Sequence, residues 1–299
     1  MSYEQSKDLI LQLEEMTNTQ VFFLNTKYNY SICGELEVVL PRLISEVKYD
    51  KRPVTLVLQT PGGSADNGIF IIKALKAHGK KVTVAVYRNC MSTGTIMALA
   101  ADKILMGRYG HLGPIDAQHN IKDLDRVSRN TIGDSLKRND IPENLNPLIV
   151  GSYEEGLTYE KNVLYPIILK HCKNNEAIAK NLLEFLTSRG QHSYRIFYAE
   201  AKKIGFNVKK MPSDVEDVIE KLIFLAEDEM DALRSDKALA YFDTGKLDEP
   251  NIFQTPDIVD AIFQNSKACW KHKHTYIATV SKGNVTSSLA RNEWQKTDF

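Results

Sequence analysis

Between residues 54 and 106 the chain alternates short, apolar, β-rich runs with helical segments, and this alternation restricts the possible fold more than any other feature. VTLVLQ, residues 54 to 59, reads as a buried strand, and Thr60-Pro61-Gly62-Gly63 punctuates it as a turn. Ile69 to His78 has helical spacing and Gly79 stops it, Lys81 to Tyr87 is a strand, and Ser92 to Ala101 is a helix of small residues. A further strand follows at Lys103 to Met106. Strands separated by helices must cross over the sheet between turns, so the pattern predicts βαβ units and a parallel sheet. Upstream, Leu9, Ile10, Leu13 and Met16 predict a helix over Ser2 to Met16, VFFLN at 21 to 25 a strand, and Glu35 to Val47 a second helix.

Beyond the HLGPIDAQ turn the chain reads as mainly helical from Asp123 to Gly205, with Pro147 and Pro166 dividing the stretch. A long helix is predicted from Asp214 to Leu233, carrying Val218, Ile219, Leu222, Ile223, Leu225 and Met230. A boundary before it separates residues 1–212, the domain that holds the candidate chemistry set out below, from residues 213–299, a helix plus a small α+β extension. In that extension Thr255-Pro256 reads as the start of a capped helix, and HTYIATV with NVTSSLA as a β-ribbon turning at Lys282-Gly283. Lys267, Lys271, His272, Lys273 and His274 form a basic cluster, expected to be a solvated surface with a partner-binding patch as the second reading.

Composition narrows the function classes. The 299 residues are 43% hydrophobic and 25% charged, the balance of a folded globular protein. Lys plus Arg and Asp plus Glu number 38 each, so no overall field draws the chain to nucleic acid or to an anionic membrane. No run approaches the roughly 20 apolar residues of a bilayer span. The opening MSYEQSKDLILQLEEM lacks the apolar core of a signal peptide, so a cytoplasmic location is expected. Cys33, Cys90, Cys172 and Cys269 form no CxxC pair, and neither a zinc site nor a disulfide framework is expected.

The chemistry centres on YRNCMSTGTIMALAAD, where a strand delivers Ser92 to a helix whose first turn holds Thr93, Gly94 and Thr95. Unpaired helix amides and the helix dipole favour the negative charge that an acyl-transfer intermediate develops on oxygen. The competing reading is that Ser92 is only an N-cap, a position serine favours. The turn at 60 to 63 weighs against that reading, because adjacent parallel strands bring its glycines beside Ser92 at the carboxyl edge of the sheet. Backbone amides of Gly63 and Thr93 then converge on one oxyanion, with Gly62, Ser64 and Pro114 nearby as substrate-binding positions. Cys90 is an alternative nucleophile ranked below Ser92, since a free cysteine is more often a small buried hydrophobe.

TPGGSAD, then NCMSTGT, ALAADKILMG and LGPIDAQ, together resemble the serine dehydrogenase proteinase family over about residues 53 to 118. A weaker likeness returns at LTSRGQHSYRIFYAEAKKIGFNV, residues 186 to 208. That family is related to the Clp proteolytic subunit and to signal peptide peptidase A. The resemblance implies an α/β Clp/crotonase-like spiral of βαβ units, continued by a helical C-terminal part and the small α+β tail. It implies Ser92 as nucleophile and the amides of Gly63 and Thr93 as the oxyanion hole. It also implies assembly into homo-oligomers.

The general base departs from the Clp pattern, whose histidine position reads Gly113-Pro114-Ile115-Asp116 here. His111 and His119 flank that place, while His192 lies before AEAKKIG, where the Clp subunit carries its orienting aspartate. Ser92, His192 and Asp116 are therefore the expected triad, with His192 carrying the proton and Asp116 fixing its tautomer. A loop histidine and a turn aspartate are the equally weighted alternative. Signal peptide peptidases use a lysine base instead, and Lys122 and Lys137 are the candidates for that role. The expected activity is ATP-independent hydrolysis of peptide or protein substrates, with no metal or cofactor; no GxxxxGK[ST] phosphate loop is present. The alternatives are a crotonase-type acyl-CoA enzyme, using the same oxyanion hole for an enolate, and a catalytically silent Clp-fold scaffold.

Overall fold

A computed structural model describes residues 3–27, 32–47, 52–115, 118–120, 126–138, 147–188, 193–231, 251–254, 258–281 and 284–297. The amino-terminal half runs α1 (Tyr3–Thr17), β1 (Gln20–Thr26), α2 (Glu35–Ser45), β2 (Val54–Gln59), α3 (Ala65–Gly79), β3 (Val82–Val86), β4 (Asn89–Cys90), α4 (Thr93–Ala100) and β5 (Lys103–Met106). The alternation predicted from the sequence is this βαβ series. Its strands pair in parallel in the order β5-β3-β2-β1.

The sheet is covered on both faces, which is why its strands read as continuous apolar runs. Phe22, Leu24, Leu56, Leu58, Val84 and Val86 point into one core, shared with α2, α3 and α4. Val21, Phe23, Val57 and Ala85 point into a second, where Ile10 and Leu13 of α1 meet the last long helix. Successive side chains of one strand thus enter opposite cores, as the pleat requires.

The middle of the chain adds β6 (His111–Leu112), β7 (Gln118–Asn120), β8 (Arg126–Ser128), α5 (Arg129–Arg138), α6 (Pro147–Tyr159), α7 (Tyr165–His171), α8 (Glu176–Ser188), β9 (Ile196–Phe197), α9 (Tyr198–Ile204) and β10 (Val208–Lys210). It is mainly helical, as expected, but interrupted by the β7–β8 hairpin and by β9, which joins β4 and β6 in a small separate sheet. Pro147 opens α6. Pro166 divides nothing, because a π-helical turn over Glu160–Leu164 carries α6 into α7 without a break. The Tyr165 amide reaches back to the Glu160 carbonyl there, a widened turn that accommodates the proline's missing donor.

After α10 (Ser213–Asp231) come β11 (Asn251–Gln254), β12 (Ile258–Gln264), β13 (Cys269–Ser281) and β14 (Asn284–Lys296). β12 pairs antiparallel with β1, and β13 pairs with β12, β11 and β14, giving a sheet of nine strands. The β-ribbon is present, closed at the Ser281–Asn284 pair, while Lys282-Gly283 lies outside the described residues. The helix expected to start at Thr255-Pro256 does not continue into the described residues. Those two residues lie outside the described ones, and the segment after them is β12, whose backbone is claimed by β1. The basic cluster divides: Lys267 is exposed, as a solvated surface requires, while Lys271 and His272 are 5% and 2% exposed, covered from the faces of β13 by α10 and α2. Lys271 Nζ pairs with Glu229 at 2.5 Å, and the His272 ring lies between Asp260 and Glu35. Among the described residues no helix is long and apolar enough to cross a membrane.

Phe263 of β12 is fully buried in the core that also holds α2 and α3. Phe263→Ala should therefore cost about 3–5 kcal/mol of whole-chain stability in denaturant unfolding, as for a core aromatic. A loss within experimental error would show that the carboxyl-terminal strands are not part of this core.

Candidate active site

The site forms where the chain leaves β2. Past Gln59 the strand continues by single bridges, Thr60 to Cys90 on one side and Gly63 to Ile32 on the other. The Thr60 amide donates to the Asn89 carbonyl at 2.8 Å and its carbonyl accepts from the Met91 amide at 3.0 Å, so the residues before Ser92 are laced to the end of β2. The fully buried Thr60 hydroxyl accepts from Thr26 Oγ1 at 2.8 Å and from the Gly62 amide at 3.1 Å, which fixes the turn between. Nothing in the local sequence singles out Thr60 beyond its place before Pro61.

Gly62 and Gly63 take φ of +125° and +138°, a region side chains rarely adopt. Space is equally restrictive. A Cβ on Gly62 would lie 2.7 Å from Ser92 Cβ and 3.2 Å from its Oγ, and one on Gly63 would lie 2.3 Å from the Ile32 carbonyl oxygen. Ile32 donates to the Gly62 carbonyl at 2.8 Å and accepts from the Ser64 amide at 2.7 Å. That ladder occupies one edge of the strand and leaves Gly63's own carbonyl and amide on the other. There the carbonyl accepts from Thr93 Oγ1 at 2.5 Å, which ties the strand edge to the first turn of α4. Ser64 is exposed and caps α3, accepting from the Asn67 amide at 3.5 Å.

Ser92 stands at the N-cap position of α4, yet its side chain makes no capping hydrogen bond. Its backbone is at φ 50°, ψ −114°, a conformation that costs a non-glycine residue about 1–3 kcal/mol. Capping therefore does not account for this serine. The turn presents a partly exposed hydroxyl against Gly62, next to the Thr93 amide, which as a first-turn donor has no intrahelical partner. Thr95 holds the other flank. Its fully buried hydroxyl accepts from the Gly113 amide at 2.9 Å and lies 2.9 Å from the Gly113 carbonyl, fixing the segment that carries the buried Pro114. The sequence placed Thr95 in the turn without this role.

The structure thus brings together Ser92, Thr93, Gly62, Gly63 and Ser64. Asp116, His192 and Lys122 lie outside the described residues, and His119 falls on β7. His111 is tied elsewhere, its Nδ1 to the Tyr109 carbonyl at 3.0 Å and its ring against Phe197, and burial lowers its pKa. Lys137 is 76% exposed beside Asp134, not the desolvated amine that a lysine base requires. Cys90 is fully buried with its side chain against Gly94, and burial pushes its thiol far above the range of a reactive thiolate.

Two measurements test this geometry. Thr60→Val keeps the shape but strips the buried acceptor from the Gly62 amide, and should lower stability by about 1–3 kcal/mol in urea unfolding. An unchanged midpoint would mean that the hydroxyl does not hold the turn. Under native conditions iodoacetamide should modify the partly exposed Cys33 first and reach Cys90 only on unfolding. Rapid native labelling of Cys90 would contradict its burial.

A model of the family described as ClpP-like SDH-type serine proteinase matches residues 18–241. An uncharacterized protein of Methanocaldococcus jannaschii is 32% identical over 197 residues, covering 64% of this chain and 66% of its own length. The Haemophilus influenzae protein named Probable protease SohB is 27% identical over 141 residues, covering 44% of this chain and 37% of its own. The chain thus spans less than two thirds of the length of these curated relatives. Among solved structures, a 1510-N membrane-bound stomatin-specific protease aligns with a TM-score of 0.42 at 18% identity, over 64% of this chain and 79% of the other. ClpP1 from Listeria monocytogenes aligns with a TM-score of 0.41 at 16% identity, over 68% and 99%. With the family model covering most of its length, this chain belongs to the ClpP-like SDH-type serine proteinases.

Proposed function

We propose that the protein is a serine peptidase that cleaves amide bonds through an acyl-enzyme on Ser92. The observation that carries this reading is the strained turn at Ser92, which leaves the hydroxyl uncapped beside Gly62. Membership of a serine proteinase family and the likeness to a protein named as a protease support it.

In this reading a substrate strand lies along Gly62, Ser64 and Pro114, and its scissile carbonyl meets Ser92 Oγ. As the C–O bond forms, the carbonyl oxygen takes the negative charge, and the Gly63 and Thr93 amides donate to it. Each such donor is worth about 10²–10³ in rate where it has been removed from other enzymes. His192 takes the serine proton and returns it to the leaving amine, with Asp116 holding the imidazole in place. Water then attacks the ester, and the same base delivers the proton that frees Ser92. The cycle consumes one water and uses neither a metal nor ATP. Assembly into a homo-oligomer and a cytoplasmic location complete the proposal.

A fluorophosphonate probe tests it. The native protein should gain one adduct, mapped by peptide mass spectrometry to Ser92, and Ser92→Ala should abolish both labelling and cleavage of a casein-derived peptide mixture. His192→Ala should lower cleavage by at least about a thousandfold, the order seen when a triad member is lost. No adduct on Ser92, with cleavage undiminished in Ser92→Ala, would overturn the reading. A folded protein that neither labels nor cleaves would leave the scaffold alternative standing.

A further inference from the structure

Behind the helical layer, at the far end of α4 from Ser92, lies a cavity of about 340 Å³. Its floor is apolar, built from Ile69 and Ile72 of α3, Leu99 of α4 and Ile167 of α7. Its rim is basic: Lys73, Lys76, Lys170 and Lys173 surround the mouth and Asp102 is the one carboxylate among the lining residues. In a chain whose charges balance, four lysines against one carboxylate on one concavity are a local positive excess.

The single carboxylate does not offset that excess. Asp102 is already engaged, by Lys76 Nζ at 3.1 Å and by the Val82 amide at 2.8 Å. Among the described residues no ion pair holds Lys73, Lys170 or Lys173. Lys173 also occupies a left-handed backbone position, φ 53°, just beyond α7, where glycine or asparagine is the usual residue. His171 closes the inner wall as a neutral group, its Nε2 accepting from the Asn207 amide at 2.9 Å and its ring bonding the Leu99 backbone.

An apolar hollow of a few hundred Å³ with a small number of convergent polar groups is the usual form of a small-molecule site. We propose that this cavity binds an amphiphilic anion, a phosphate or carboxylate head held by the lysine rim with an aliphatic tail on the isoleucine floor. The length of α4, about 12 Å for eight residues, separates it from Ser92, so occupancy does not depend on the peptidase chemistry.

Calorimetric titration of the full chain with octyl phosphate, octanoate and inorganic phosphate tests the proposal. Octyl phosphate and octanoate should bind at least tenfold more tightly than inorganic phosphate, because only they fill the floor. Lys170→Glu with Lys173→Glu, both at exposed positions, should weaken octyl phosphate at least tenfold. Lys7→Glu with Lys221→Glu, the same charge change on the helices of the opposite sheet face, should leave it within twofold, and Ser92→Ala should bind as the native chain does. Equal weakening in both double variants would assign the effect to diffuse charge, and inorganic phosphate binding as tightly as octyl phosphate would remove the floor; either result overturns the proposal, as does no binding at millimolar ligand.

Discussion

One buried hydroxyl holds the geometry on which everything else at the site depends. Thr60 ends the strand that runs through the middle of the sheet, and its backbone ties that end to the residues just before Ser92. Its side chain meanwhile secures the Gly62 amide. Fixed at both points, the glycine turn can approach Ser92 more closely than any residue with a Cβ would allow. The close approach and the strained serine are two sides of one arrangement. Strain of about 1–3 kcal/mol persists only where surrounding bonds over-determine it, and here those bonds come from β2, β4 and Ile32.

The rigidity of that arrangement rests in turn on burial. The central strands send alternate side chains into two separate cores, so β2 cannot slip by a residue without exchanging both sets at once. The carboxyl-terminal strands extend the same sheet from β1, and Ser6 of α1 bonds Gln264 of β12 across 258 positions of sequence. The amino-terminal helix, the last long helix and β12 all bear on the core opposite the site. The elements that carry Ser92, Gly62 and Gly63 thus lie on the other side of the sheet from that core.

The sequence made the parallel strands legible because apolar runs of strand length were bounded by strong turn residues, as at VTLVLQ before Pro61. Ser92, Gly62 and Gly63 were legible because spacing and residue type agreed: a serine opening a helix, and glycines ending the neighbouring strand. What escaped was whatever depends on long-range pairing. IVDAIFQ carries no useful period, since both faces of β12 are buried, and a threonine-proline pair before it resembles a helix start. Lys271 and His272 read as surface residues on composition alone, because nothing local announces that β13 is an interior strand. The hydroxyls of Thr60 and Thr95 escaped for the same reason: their partners lie on other segments. The bridge from Ile32 to Gly63 joins positions that no local motif connects.

The central claim is that Ser92 reacts within a cradle made by two backbone amides. A crystal structure of the protein carrying a phosphonate on Ser92 measures that directly. The account predicts the phosphoryl oxygen within about 3 Å of both the Gly63 and the Thr93 nitrogen, the spacing of a working oxyanion hole. A phosphoryl oxygen turned to solvent, or an adduct on any other side chain, would contradict it.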